Sequence, residues 1–419
     1  MRSFRQNLLI AYRFLVAKNR AMLMSLAGIV FGVAFFIFTQ AQTSGFENFF
    51  IRTILGTNGT LRVQDEFQST VNSMVVAAEE GQDGFEIPLR EGRSYISGIR
   101  NPRQIIDAVK EFTGVTGAAP VLRGGVEIAS GFREVSGRVI GILPREYIEV
   151  SDLEHQMIYG SLRDFEQEPD GILVGNRLAE RLEVMPGRFI LLRHLGTTRR
   201  YRIAGIFETG IDVFDKTHVF VHLPEARRLL QRMERVSYIQ VMTEDPDKAP
   251  ATAAQMQYAL HHSVASWQER EKSWLEVFRV LRISSGLSMS TIILIAGLGI
   301  FNTLAIIVME RSREIAILRS IGFSRRDIRN IFLYQGMLVY VAGTLIGFGL
   351  GAALTAIAES LPIRIRGIFS TDHFLVTWSP WHYVSAAVVA GVVVVIAALI
   401  PARRAARVEP GDVIRGTGG

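Results

Sequence analysis

Residues 309–329 read Met309-Glu-Arg-Ser-Arg-Glu-Ile-Ala-Ile-Leu-Arg-Ser-Ile-Gly-Phe-Ser-Arg-Arg-Asp-Ile-Arg329. No charged residue occurs from 283 to 309 before this stretch or from 330 to 358 after it. Each flank exceeds the roughly 20 apolar residues that a membrane-crossing helix needs. The charged stretch is therefore expected to fold against one membrane face. Ile315, Leu318 and Ile321 recur at helical spacing, while Glu310, Arg311, Arg313 and Glu314 crowd the remaining surface, which predicts a short amphipathic helix. Gly322 can close it, and Ser324 with Asp327 reads as a capping box that opens the next helix. The plain alternative is an ordinary positively charged loop on the cytoplasmic side.

The chain has 419 residues, 48% hydrophobic, with a formal net charge of +6 and no cysteine. That composition suits several membrane spans together with a polar domain. Its basic residues gather beside the apolar stretches, where the bias of cationic residues toward the cytoplasm accounts for them, so nucleic-acid binding is excluded as a reading. Disulfides and thiolate metal sites are excluded as well.

Working outward, residues 1–20 carry Arg2, Arg5, Arg13, Lys18 and Arg20 without an acid, and Phe4, Leu8, Tyr12 and Leu15 share one helical side. This predicts an amphipathic elbow helix on the inner leaflet. Spans are expected over 21–46, 282–309, 330–358 and 381–402, with a loop over 359–380 and a tail over 403–419. Gly28 and Gly32 in the first span, and Gly343, Gly347 and Gly351 in the third, are spaced for close helix packing. Arginines cluster before the first span, in the 310–329 loop and after the last span, which puts both termini and that loop in the cytoplasm.

The expected fold class is a membrane protein of four transmembrane helices, with a large external α+β domain, residues 47–281, inserted between the first and second. Strand-like runs are read at 60–64, 115–122, 126–129, 135–142, 171–175, 189–193, 201–208, 219–222 and 237–242. Helices are read at 102–112, from an Asn176 cap to 183, at 224–233 and at 249–262. A polar helix from near Trp267 is expected to run unbroken into the second span. The 64–101 stretch has the weakest pattern and reads as a loop or insertion.

Several chemistries lack their residues. No G-x-x-x-x-G-K-[ST] phosphate cradle occurs, so the chain has no ATP-binding motif of its own. His218 with His222, and the adjacent His261 and His262, invite a metal, but neither spacing converges two imidazoles easily. No nucleophile elbow G-x-S-x-G follows a strand. Apart from Arg282 at the very edge of the second, the spans carry no charged residue for an ion path. Phe35, Phe36 and Phe38, with Gln40, Gln42 and Phe46, form an aromatic outer half of the first span, suited to lipid packing or to an acyl-chain wall.

The order of these parts, together with Glu310-Arg-Ser-Arg-Glu-Ile-Ala-Ile-Leu-Arg-Ser-Ile-Gly and Pro401-Ala-Arg-Arg-Ala-Ala-Arg-Val-Glu-Pro, resembles the MacB/FtsX-type ABC transporter permeases over essentially the whole chain. Thr43-Ser-Gly-Phe-Glu, Ile54-Leu-Gly, Trp267-Gln-Glu-Arg-Glu-Lys, Gln335-Gly, Gly343-Thr-Leu-Ile-Gly and Thr371-Asp-His-Phe-Leu-Val are most similar to the LolC/LolE lipoprotein-releasing permeases. Two features depart from that group: the turn Leu195-Gly-Thr-Thr-Arg is short where LolC-like permeases carry a long chaperone-docking hook, and the 64–101 stretch is longer.

The resemblance implies a multi-pass protein of the bacterial inner membrane with a periplasmic 47–281 domain. It implies a separate ATPase subunit that binds ATP and Mg, this chain itself carrying no cofactor, no metal and no catalytic residue. The ATPase would grip Glu310, Arg311, Arg313, Glu314, Ile315, Leu318, Arg319, Gly322, Ser324, Arg325, Arg326 and Asp327. A second permease chain, identical or paralogous, is implied too, with a substrate cleft walled by Phe35, Phe38, Gln42, Phe46, Met289 and Ile293. The implied activity is extraction of lipoproteins or another amphiphile from the inner membrane, with a periplasmic chaperone or adaptor as a further partner. The alternatives are a MacB-like exporter working with a membrane-fusion protein and an FtsX-like regulator of a cell-wall hydrolase.

Overall fold

The computed structural model describes residues 10, 11, 13, 19–65, 98–362, 365–366, 370–371 and 374–408. Most of the expected elbow helix over 1–20, residues 66–97 of the expected insertion and the tail beyond 408 lie outside the described residues. In chain order the elements are α1 (Asn19–Asn58), β1 (Leu61–Gln64), β2 (Ile99–Arg100), α2 (Pro102–Lys110), β3 (Val115–Ser130), β4 (Arg133–Ile142), α3 (Pro144–Tyr147), β5 (Met157–Tyr159) and α4 (Leu162–Gln167). There follow β6 (Gly171–Gly175), α5 (Asn176–Leu182), β7 (Phe189–His194), β8 (Thr197–Phe207), α6 (Asp212–Thr217), β9 (His218–His222), α7 (Leu223–Leu230), β10 (Arg235–Val236) and β11 (Tyr238–Thr243). The chain continues through α8 (Ala249–Leu260), β12 (Ser263–Ser266), α9 (Trp267–Arg270), α10 (Lys272–Glu310), α11 (Ser312–Ser320), α12 (Arg325–Ser360), β13 (Ile365–Arg366), β14 (Ser370–Thr371) and α13 (Pro380–Ala406).

Two compact units result. One comprises Met1–Asn48, Glu276–Ile363 and His373–Gly419, the other Phe49–Leu275 and Arg364–Asp372. Among the described residues four helices, Leu23–Asn58, Lys272–Glu310, Arg325–Ser360 and Pro380–Ala406, are long and apolar enough to cross a membrane.

In the helical unit, α1 packs through two different faces. Lipid tails are as apolar as leucine, so helices in a bilayer associate through close packing, and small residues allow it. A Cβ placed on Gly343, Gly347 or Gly351 of α12 would lie 2.8 Å from Ile29 Cγ2, 2.9 Å from Val33 Cβ and 3.2 Å from Ile37 Cβ, so three ridge residues of α1 fill that glycine groove. On the other face, a Cβ on Gly28 or Gly32 would lie 2.9 Å from Ala296 Cβ or Ile293 Cγ1 of α10. At the far end of the same unit, residues 374–379 lie across α1. Thr377 donates its amide to the Ala41 carbonyl at 3.0 Å, and Asn48 Nδ2 donates to Thr377 Oγ1 at 3.1 Å. Gly45 is what permits this approach, because a Cβ there would meet the Leu375 carbonyl oxygen at 2.5 Å and Val376 Cα at 2.6 Å.

The other unit is built on a mixed sheet ordered β12-β1-β11-β3-β4-β9-β6-β8-β5, with β7 joining β3 to β8. Pairings β4–β9 and β6–β8 are parallel and the remaining pairings within this sheet antiparallel. Alternate strand residues feed two apolar cores, one centred on Leu61, Leu122, Ile128, Leu178 and Val241, the other on Val121, Ile142, Phe165, Phe207 and Phe220.

Three local expectations are corrected. The 115–122 and 126–129 runs form one strand, because Gly124 and Gly125, which lie between them, pair with Val139 and Arg138 and are held in the ladder. Asn176 is the first residue of α5, and Gly175 occupies the cap position without a side chain to offer. The helix from Trp267 is interrupted at Glu271 (φ −105°, ψ 18°), although Glu271 N–H to Trp267 C=O at 2.9 Å and Leu275 N–H to Glu271 C=O at 3.1 Å carry the hydrogen-bond pattern across.

His218 and His222 do not converge on a metal. Arg123 Nη2 donates to His218 Nε2 at 3.0 Å, which leaves the proton of a neutral ring on Nδ1, facing the Phe214 carbonyl at 3.2 Å. His222 Nε2 lies 2.8 Å from the Phe165 carbonyl. Burial, and then the Arg123 charge, pull His218 down to about 3. Asp215 is fully buried; its Oδ1 accepts from Thr209 N and Oγ1 at 2.9 and 2.8 Å, while Oδ2 has no hydrogen-bond partner among the described residues. Burial pushes its carboxyl up to about 6.

The two groups act oppositely on stability. Asp215 favours the fold when protonated, so its contribution is complete below the ordinary carboxylate range and is lost as pH rises through about 6. His218 favours the fold when neutral, so its contribution is complete above its ordinary range and is lost as pH falls toward 3. Between pH 4 and 6 the two slopes largely cancel. Asp215→Asn removes one of them, and the unfolding free energy then falls on acidification from about pH 6 to 4 by about 1.4 kcal/mol per pH unit more than in the wild type. Thermal or denaturant unfolding of both proteins across that window checks it; parallel profiles contradict the assignment. Gly45→Val is expected to unseat residues 374–379 at a cost of about 1–3 kcal/mol, read as faster hydrogen exchange at the Thr377 amide together with a lower unfolding midpoint. An unchanged amide would show that the Gly45 contact is dispensable.

Candidate functional site

The 310–329 stretch folds into a short helix closed firmly where it meets the next one. Helix α10 ends at Glu310, Arg311 adopts a non-helical φ/ψ of −100° and 14°, and α11 begins at Ser312. Its far end is a Schellman closure. Gly322 (φ 101°) donates to the Arg319 carbonyl at 3.0 Å and Phe323 donates to the Leu318 carbonyl at 3.1 Å. Leu318 and Phe323 pack on the same apolar core, completing that motif. Ser324 Oγ then accepts from the Asp327 amide at 3.1 Å while the Ser324 amide donates to Asp327 Oδ2 at 3.0 Å, so α12 starts on a reciprocal capping box.

Within this frame the coupling candidates separate into two sets. Ile315 is fully buried, Leu318 half-buried, Arg311 and Glu314 pair with each other, and Arg319 Nη1 donates to the Val408 carbonyl at 2.6 Å. Ile315, Leu318 and Arg319 hold the loop to its own unit, the Arg311–Glu314 pair braces it internally, and Gly322, Ser324 and the half-buried Asp327 shape its turns. Glu310, Arg313, Arg325 and Arg326 are exposed.

One expectation about the apolar face is corrected. Ile321 is 62% exposed, and so is Ile317, at 48%, which the sequence reading left out. At roughly 100° per residue Ile321 lies about 240° round the helix from Ile315 but only about 40° from Ile317. The outward face of the loop is therefore Arg313, Ile317 and Ile321, bordered by Arg325 and Arg326. The i, i+4 spacing of Ile317 and Ile321, with Arg313 four residues before, was the available signal.

The six cleft candidates do not form one wall. Ile293 is fully buried against Gly32, and Phe38 stacks on Phe374 with ring centroids 6.4 Å apart. Met289, Gln42 and Phe46 are half-buried, and Phe35 is exposed. An open apolar groove of about 470 Å³ does lie between α1 and α10, lined by Met24, Ser25, Gly28, Phe31, Ile292, Ile295, Ala296, Gly299 and Thr303. Ser25 Oγ and Thr303 Oγ1 lie 2.9 Å apart within it. On α10 its lining residues interleave with and follow the predicted Met289 and Ile293, and on α1 they lie before the predicted Phe35; the pattern of small residues opposite large ones marks the groove.

Comparison with known proteins gives these parts a family. The model of the MacB-like periplasmic core domain matches residues 22–259, and that of the FtsX-like permease C-terminal matches residues 286–410. The lipoprotein-releasing system transmembrane protein LolC of Xylella fastidiosa is 26% identical over 97% of this chain and 98% of its own length. The macrolide export ATP-binding/permease protein MacB of Photorhabdus laumondii is 22% identical over 97% of this chain but 60% of its own length. The crystal structure of the periplasmic region of MacB from Actinobacillus actinomycetemcomitans aligns with 54% of this chain and 95% of that one, at 13% identity and a TM-score of 0.34. With one family model covering more than half of the chain and a second covering most of the remainder, the chain belongs to the MacB/FtsX/LolC family of ABC transporter permeases.

Proposed function

We propose that this permease extracts lipoproteins from the bacterial inner membrane for delivery to the outer membrane, driven by a separate ATPase subunit that binds ATP and Mg. The observation that carries this reading is the end-to-end match to LolC, 97% of one chain against 98% of the other, where the MacB relative extends well beyond the shared region. The chain also has no phosphate-binding cradle of its own. In this reading the four apolar helices span the membrane, the arginine-rich 310–329 loop and both termini face the cytoplasm, and the α+β unit stands in the periplasm. A second permease chain, identical or paralogous, completes the complex, and the groove between α1 and α10 is the acyl-chain surface. Arg313, Ile317, Ile321, Arg325 and Arg326 form the ATPase contact, an apolar pair ringed by cations that combines a buried anchor with a charged rim.

Two outcomes test the reading. In the double variant Ile317→Asp, Ile321→Asp, recovery of the ATPase with the purified permease is expected to fall at least about tenfold, with the unfolding midpoint unchanged because both side chains already face outward. Undiminished recovery sinks the contact surface. In proteoliposomes holding the permease with its ATPase and a triacylated lipoprotein, ATP is expected to release the lipoprotein to the outer side. Sustained ATP hydrolysis without release, and co-purification of a membrane-fusion adaptor in its place, would favour a MacB-like exporter; recovery of a cell-wall hydrolase would favour an FtsX-like regulator.

A further inference from the structure

The far end of α1 is held in the α+β unit by a socket of hydrogen-bond donors. The last carbonyls of a helix have no partner within it and carry the negative end of its dipole. Here each finds one. Gly56 C=O accepts from the Asp152 amide at 2.7 Å, and Thr57 C=O accepts from Gln240 Nε2 at 3.2 Å and from the Tyr147 hydroxyl at 3.3 Å. A Cβ on Gly56 would sit 2.5 Å from Asp152 Oδ2, so a larger residue here would have to displace that carboxylate.

The next two carbonyls are taken by a single side chain. Arg270 Nη1 donates to Asn58 C=O at 3.2 Å and Nη2 to Gly59 C=O at 2.8 Å, and beside it the Trp267 amide donates to Thr60 C=O at 2.8 Å. Arg270 closes α9, two residues before α10 begins. It forms no ion pair among the described residues, and its Nε is buried without a hydrogen-bond partner there. Burial pulls its guanidinium down to about 10, so it stays charged at neutral pH. A desolvated cation satisfied by backbone carbonyls is costly to place there and depends on the helix dipole that it faces. Neutral groups supply the other bonds of the socket, and of the two partners that come from α9, on the approach to the second long helix, Arg270 is the one that reaches with a charged side chain and the Trp267 amide is the other.

We infer that Arg270 is a positioning residue for energy transfer: it locks the end of α1 to the start of α10, so that movement of these two helices enters the α+β unit as one motion. The inference rests on the ATP-driven permease reading above, though not on the identity of the substrate. Without the lock, α1 can withdraw or turn in its socket while α10 moves, and the stroke is dissipated.

The test uses the full chain with its ATPase in nanodiscs. Spin labels are placed at two exposed positions, Tyr258 on α8 and Thr291 on α10, and their separation is read by pulsed resonance without nucleotide and with ATP trapped by vanadate. The parent pair is expected to shift between the two states. Arg270→Gln is expected to abolish that shift while ATP hydrolysis stays within about twofold of the parent rate, and Arg270→Lys, which keeps charge and donors, is expected to restore most of it. A full shift in Arg270→Gln, or no shift in the parent, overturns the inference. So does a parallel loss of hydrolysis and shift in both variants, which would mark Arg270 as a fold residue only. Failure of the lipoprotein reading shows elsewhere, as a parent complex that shifts normally yet releases no lipoprotein.

Discussion

Close backbone contact along α1 is the constraint on which the helical unit depends. Three β-branched residues one turn apart, Ile29, Val33 and Ile37, sit in the groove left by Gly343, Gly347 and Gly351, while Gly28 and Gly32 admit Ala296 and Ile293. Because a bilayer supplies little hydrophobic drive between helices, this fit of ridges and grooves, and the lipid it displaces, must hold them together. Such an interface is well defined but has no slack: a sliding α1 would have to climb out of three glycine steps at once. A displacement of α12 would thereby be passed to α1, as the proposed drive by a separate ATPase requires.

The same economy governs the 310–329 loop. The Schellman turn at Gly322 and the capping box at Ser324 fix the junction between α11 and α12, and the Arg319 bond to Val408 ties α11 to the segment after α13. A loop held this firmly conveys force to the helices on both sides of it. Its outward residues, by contrast, are long, flexible cations around two exposed isoleucines.

Much of the architecture was readable because its signals are long. Uncharged runs of more than 25 residues, and arginines at their ends, need no fine geometry to interpret. Smaller errors came where tertiary pairing overrides a local signal. Gly124 and Gly125 fell between two separate strand-like runs and lie inside β3 because β4 pairs alongside them, and a chain with no Gly or Pro near Glu271 nonetheless breaks there. The candidate sites were less readable for a geometric reason. A three-residue repeat put Ile321 on the buried face, whereas α11 carries it round to join Ile317. The aromatic residues near Phe38 suggested a cleft wall, and Phe38 instead packs on Phe374, more than 330 residues away in sequence. The donor socket of α1 was invisible, since its five partner residues come from three stretches distant in sequence, around 147–152, at 240 and at 267–270, and its acceptors are backbone carbonyls.

The central claim is that energy enters this chain through the outward face of α11. The absence of cysteine allows a direct measurement. A single cysteine replacing Ile317, carrying a short photoactivated cross-linker in native membranes, should give an adduct of the permease with its ATPase, whereas the same probe at Phe132, in the turn between β3 and β4, should give none. An ATPase adduct at Phe132 and none at Ile317 would contradict the account.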